Sequence, residues 1–299
     1  MIVTWTHKIL VIVAFSLAAS AALAAEQAFD KRFDAVPGGR LALETDVGSV
    51  VVVGRDTREV VIHADMSDSD HLQIAAEQNA SGVSVTGHVT EHSWFNWLSF
   101  SSTHVRFTIA VPRDYPVELK TSGGSLDVRN VTASVKGKTA GGSIAIRDVT
   151  GPIEVHTSGG NIDAERINGP TLLGTSGGSI DIDDSRGDLD VHTSGGSINL
   201  KITDGRVKAD TSGGSVHAEV RVNRGVDLST SGGSITLLLP ENASASIDAK
   251  TGGGRVESEL RLSSTELAEH AHLRGAINGG GEPVVLRTSG GSIDVEPLR

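Results

Sequence analysis

A threonine followed by a pair of glycines recurs in this chain at a fixed interval. The motif Thr-x-Gly-Gly begins at Thr121, Thr139, Thr157, Thr175, Thr193 and Thr211, so each step is 18 residues. Thr230 follows after 19, Thr251 after 21 and Thr288 after 37, and a degenerate copy runs from Thr45 to Val50. A repeat of this length is one supersecondary unit that cannot bury a core alone and must stack on its neighbours.

The columns of the repeat specify strands. Counted from the threonine, position −4 holds Val135, Ile153, Leu189, Val207 and Val226, and position −2 holds Val155, Leu173, Val191, Ala209 and Leu228. Position +5 holds Leu126, Ile144, Ile162, Ile180, Ile198, Val216 and Ile235, and position +7 holds Val128, Ile146, Ala164, Ile182, Leu200, Ala218 and Leu237. The residues between them are mostly polar, which is the period-two pattern of two short strands per unit. One turn is the Gly-Gly pair. The other carries Gly151, Gly169, Gly187 and Gly205, where a positive φ is expected. No helical period appears in the repeat. The expected fold is all-β: a parallel, right-handed β-solenoid (β-helix) of about 18-residue rungs with a non-repeat β segment before it.

By parity the threonines face inward, where their hydroxyls can hydrogen-bond along the stack. That argues against ice binding, which needs threonines outward on a flat face. The organisation expected is a signal peptide over 1–24, an N-terminal β region or cap over 25–118, the solenoid over 119–260, and an insert with the final rung over 261–299. His7 and Lys8, the apolar run Ile9 to Ala19 and the small residues Ala22 and Ala24 carry the signal-peptide reading. No later segment is apolar enough to span a bilayer, so the chain is expected to be exported to the periplasm, the medium or the cell surface.

Composition narrows function by exclusion. The chain has no cysteine, hence no disulfides and no thiolate metal site. Its net charge is −11, which argues against nucleic acid and against passive binding to anionic lipid. No nucleophile elbow, phosphate loop or His-Glu-x-x-His motif occurs.

Three places could carry chemistry. Positions +6 and +8 place Asp163, Glu165, Asp181 and Asp183 outward on two adjacent rungs, with Arg147 one rung before and Lys201 one rung after. Such carboxylates raise one another's pKa unless a cation neutralises them. No cofactor is expected; the one that this oxygen-rich group could take is calcium, which should then raise the melting temperature. The reading favoured is a solvated acidic face with Arg147 and Lys201 ion-pairing at its flanks. Trp94, Phe95, Trp97 and Phe100 fall within seven residues of a chain with only 3 Trp, 6 Phe and 1 Tyr. They form either a partner-binding patch or a cap over the solenoid end. In the insert, Ser263 to Glu266 fits a capping box, which predicts a short helix placing Glu266 and His270 on one face. His156 and His192 read as surface residues two rungs apart.

The order of three segments also resembles a family: Gly39 to Thr45 with Gly48 to Val52; Phe107 to Pro112 leading through Val117 to Thr121; and Ala276 to Gly281 followed by Val284 to Val295. The chain resembles the bacterial β-strand-repeat proteins of a domain-of-unknown-function family often labelled adhesins, over residues 29 to 297. The resemblance implies a solenoid fold and supplies no catalytic residues. The function expected is therefore a non-enzymatic, adhesin-like interaction scaffold of the cell envelope, with an envelope protein or glycan as partner. The alternatives are a structural or envelope-stress-linked protein without a ligand site, and a β-helix carbohydrate-active enzyme.

Overall fold

The computed structural model describes residues 27–66, 72–89, 105–268 and 271–298. The signal-peptide and aromatic-cluster readings lie outside these residues. Among the described residues the structure is all-β: 25 strands form one continuous, mostly parallel sheet with a solenoid-like course. Equivalent positions of successive repeats pair directly. Ile144, Ile162, Ile180 and Ile198 stand opposite one another along one ladder, and Val135, Ile153, Thr171 and Leu189 along another. The buried aliphatics of the four columns stack into one core.

The threonines face inward, from fully buried at Thr193 to 7% exposed at Thr288. Most are satisfied twice. Thr157 Oγ1 donates to the carbonyl of Gly142, one unit back, at 2.8 Å, and accepts from the amide of Gly160 in its own turn at 3.3 Å. The same pair recurs at Thr139, Thr175, Thr193 and Thr230, and Thr211 makes the donated bond to Gly196. The hydroxyl thus ties one Gly-Gly turn to the next, and its own burial is compensated by these bonds.

The other corner has the expected left-handed glycines, with φ of 138° at Gly151, 139° at Gly169, 114° at Gly187 and 156° at Gly205. A further kink lies nine residues after the threonine. Asn130, Asp148, Arg166, Asp184 and Ile202 all adopt φ between 52° and 59°. This extra residue resets the alternation, in the manner of a bulge. Ile146 and Val149 are therefore both buried although three apart, and Val131, Val149, Ile167, Ser185 and Thr203 form a fifth inward column. Ser185 Oγ has no hydrogen-bond partner there.

Order in space departs from order in sequence at both ends. Arg40–Thr45 stacks on Val117–Thr121, with Thr45 opposite Thr121, although 71 residues of chain leave and return between these strands. That excursion covers the outer edge: Gly82–Val89 and Val105–Pro112 add in parallel, and Glu59–Met66, Gln27–Asp34 and Leu72–Asn79 close it antiparallel. At the other end, Glu282–Thr288 inserts between Val216–Thr230 and Ala245–Thr251, so Thr288 lies between Thr230 and Thr251. The last repeat in the chain is not the last in the stack.

The helix expected at Ser263 is a strand. Ser263–Ala268 pairs antiparallel with His272–Ile277, which in turn covers Ala245–Thr251. A capping box is a local signal, and so short a segment cannot hold a helix by itself. The open ladder of Ala245–Thr251 offers hydrogen bonds to an extended chain instead. Glu266 and His270 accordingly share no helix face; Glu266 stands opposite Arg274 in the hairpin, and His270 lies outside the described residues.

Candidate functional site

The strands Ile144–Thr150, Ile162–Asn168, Ile180–Arg186 and Ile198–Thr211 lie side by side, and their even positions after the Gly-Gly turn point outward. Register brings the four predicted carboxylates together. Asp163 stands opposite Asp181 and Glu165 opposite Asp183, with Ala145 and Arg147 on one flank and Asn199 and Lys201 on the other. Adjacent strands are about 4.7–4.9 Å apart, so the carboxylates form two short rows. A shallow groove of about 370 Å³ runs over them, lined by Arg147, Asp163, Glu165, Asp181, Asp183 and Lys201 among others.

The two flanks differ. Arg147 is drawn between two acids, with its guanidinium 3.7 Å from Asp127 and 3.6 Å from Glu165. Glu165 also contacts Arg166, which grips Asp148 at 2.6 and 2.9 Å and holds that carboxyl below its ordinary pKa, the hydrogen bond outweighing partial burial. On the far side, Asn199 Nδ2 donates to Asp181 at 3.2 Å, whereas Lys201 and Asp183 have no ion-pair partner among the described residues. Partial burial and, after it, repulsion from Asp181 raise the Asp163 pKa, and Arg147 offsets this only in part. The rows run along the strands. Among the described residues, no three His, Asp or Glu side chains converge on one point as a metal ion requires.

One acid elsewhere is neutralised. Asp248 lies against His272 at 2.9 Å, Arg287 at 3.0 Å and Arg274 at 3.6 Å. Burial raises its pKa, but these partners bring it below the ordinary value. His156 and His192 both stand opposite Gly174 on the outer face of the other strand column, as surface residues.

A second groove, of about 520 Å³, went unnoticed in the sequence. Pro152, Pro170 and Leu172 line it, with the ion pairs Lys136–Glu154 at 3.3 Å and Lys208–Asp190 at 3.6 Å on either side. Leu172 is 38% exposed. The available signal was the break in an otherwise polar outward column, where Leu172 and Gly174 replace charged or histidine residues.

The model of the Toastrack DUF4097 family matches residues 40–296. The chain belongs to that family. This match takes in the whole described repeat array of the Toastrack chain, including the Thr45 unit and the inserted last repeat. No functionally curated protein matches it. Among solved structures it is similar to a "putative adhesin" from Parabacteroides distasonis ATCC 8503, at 13% identity and a TM-score of 0.47, over 92% of this chain and 98% of that one. A "putative lipid binding protein" from the same organism matches at 10% identity and a TM-score of 0.45, over 91% and 97%. A "putative cell adhesion protein" from Clostridium sporogenes ATCC 15579 matches at 14% identity and a TM-score of 0.27, over 91% and 100%. Among the described residues no helix is long and apolar enough to cross a membrane.

Proposed function

We propose that this Toastrack protein is an exported, non-enzymatic binding scaffold that meets a cationic protein or glycan of the cell envelope through the groove over Asp163, Glu165, Asp181 and Asp183. The observation that carries the reading is the in-register pairing of four outward carboxylates, of which Asp183 makes no ion pair among the described residues. Concentrated like charge on a rigid, stacked surface is relieved by an oppositely charged partner, which favours encounter and orientation. The right-handed course proposed for the solenoid follows from the hand that parallel strands take when joined by crossovers in one sheet. Export, to the periplasm or the cell surface, rests on the apolar run and small residues before Ala25.

The test is binding of the chain from Ala25 onward to a cationic oligosaccharide and to an oligolysine peptide at low and high salt. Binding by this surface should weaken at least about threefold when Asp181 and Asp183 are both replaced by asparagine, and should fade with added salt. Equal binding by the variant would refute the assignment. One observation favours a second reading as a carbohydrate-active enzyme: Asp163, with its raised pKa, sits beside Asp181 as a proton donor beside a base would. Release of reducing ends from an acidic polysaccharide, abolished in Asp181→Asn, would establish that reading.

A further inference from the structure

A cleft of opposite character lies at the N-terminal end of the stack. Two parallel strands, Ser49–Arg55 and Val105–Pro112, end level with each other, Arg55 opposite Pro112. The chain segments that follow, Asp56 to Arg58 and Arg113 to Asp114, face each other as two walls. Between them is a space of about 410 Å³ lined only by Arg55, Asp56, Thr57, Arg58, Pro112, Arg113 and Asp114. In a chain of net charge −11, three arginines thus line one concavity.

The walls are held in place. Arg113 Nε lies 2.9 Å from Asp56 Oδ1, which ties one wall to the other. The Thr57 amide donates to the Arg55 carbonyl at 2.9 Å, and Thr57 Oγ1 accepts from the Glu59 amide at 3.1 Å. The amide of Thr132 donates to the Arg113 carbonyl at 2.6 Å, and that of Ala35 to the Arg58 carbonyl at 2.7 Å. Both segments are therefore anchored to neighbouring strands, and the cleft is formed before any ligand arrives.

The charges are not balanced within it. Arg113 is engaged by Asp56, but Arg55 and Arg58 have no carboxylate partner among the described residues. Asp114 is the second acid of the lining, so three cations face two anions. A net of one positive charge suits a singly charged oxyanion. A planar carboxylate matches the fork of a guanidinium in a bidentate pair. The lining is short of apolar surface, Pro112 apart, which disfavours a peptide end whose side chain needs burial. It is rich in groups that pair with hydroxyls: Thr57, and the acceptor oxygens of Asp56 and Asp114.

We infer that the cleft formed by Arg55, Arg58 and Arg113 is a binding site for the carboxylate of an acidic sugar. The carboxylate lies on Arg55 and Arg58, and the ring hydroxyls donate to Asp114 and Asp56. This site is separate from the acidic groove, and either can hold without the other.

Calorimetric titration of the chain with a trigalacturonate at low ionic strength tests it. Binding is expected for the free acid and lost for its methyl ester, which keeps the ring and removes the charge. The double replacement Arg55→Gln and Arg58→Gln should weaken binding at least about tenfold, because a charge-assisted contact contributes about 1.5–3 kcal/mol. Both side chains are exposed, so the melting temperature should stay unchanged. Arg221→Gln, which removes an exposed arginine of Val216–Thr230 outside both grooves, should bind the sugar as the parent does. Equal affinity for the methyl ester, equal affinity in the double variant, or absence of binding would overturn the proposal. Tighter binding of inorganic sulfate or phosphate than of the uronate would also overturn it, since the site would then be one for a dianion.

Discussion

At the scale of single residues, register turns identity into energy. Asp163 is the clearest case: a parallel ladder sets Asp181 directly opposite it, and charge accumulates with no cation between them. The folded pKa of Asp163 is raised, by burial first and by Asp181 second. The folded state therefore holds the proton more firmly than the unfolded chain does. The destabilising cost is fully present above the raised pKa, and stability recovers as pH falls through it towards the ordinary carboxylate value. Asp163→Asn should consequently raise the melting temperature at pH 7, by about 1–3 °C for so exposed a group. The difference from the parent should vanish below the ordinary carboxylate pKa. Thermal unfolding of both proteins across pH 3–8 checks this, and a lower melting temperature for the variant at pH 7 would contradict it.

At the scale of the element, the two glycines of each turn have different duties. A Cβ on the second, Gly160, would lie 2.1 Å from the carbonyl oxygen of Gly142 in the unit before, and the equivalent contact at Gly178 is 2.0 Å. On the first, Gly159, the nearest atoms are 3.6 Å away, an ordinary contact. Neither turn glycine has a positive φ, so the demand at Gly160 is for close approach of stacked backbones and not for an unusual dihedral. Gly160→Ala should cost about 2–4 kcal/mol, since backbone must move in a continuous ladder. Gly159→Ala should stay within about 0.5 kcal/mol of the parent, because reduced freedom of the unfolded chain offsets minor crowding. Denaturant midpoints of the two variants measure the contrast. The kink column obeys a different rule. Asn130, Asp148 and Asp184 suit the left-handed region, whereas Arg166 and the β-branched Ile202 adopt it against their own preference. Stacking on the neighbouring units holds them there.

At the scale of the whole molecule, each end is built by chain that returns. Glu282–Thr288 and Ile293–Pro297 lie inside the stack, each with a partner strand on both sides. Ending the chain after Gly281 therefore removes an internal layer. Residues 245–277 would lose the surface they rest on, although they are intact in sequence. Limited proteolysis of such a truncation should cut within 245–277 while units from Val135 to Thr211 stay protected, as expected where each unit contacts only its neighbours. Protection of 245–258 in the truncated protein would mean that the terminal repeat lies outside them.

The sequence by itself determined the unit, its two strands, the buried threonines and the left-handed glycines at one corner. All of these follow from alternation within a unit and repetition between units, and both are visible in one dimension. It also brought Asp163, Glu165, Asp181 and Asp183 together, because a constant spacing is already a register. The kink column stayed hidden, since Asn, Asp, Arg, Asp and Ile share no chemistry and their conformation comes from stacking. The Arg55–Arg58–Arg113 cleft was equally illegible, for its walls are 55 or more residues apart in sequence and meet only where two strands end together. The order of the end layers was decided by tertiary structure alone. An open ladder edge accepts any strand of matching period, and closing a longer loop adds little entropy, so proximity in sequence does not determine which strand takes the place.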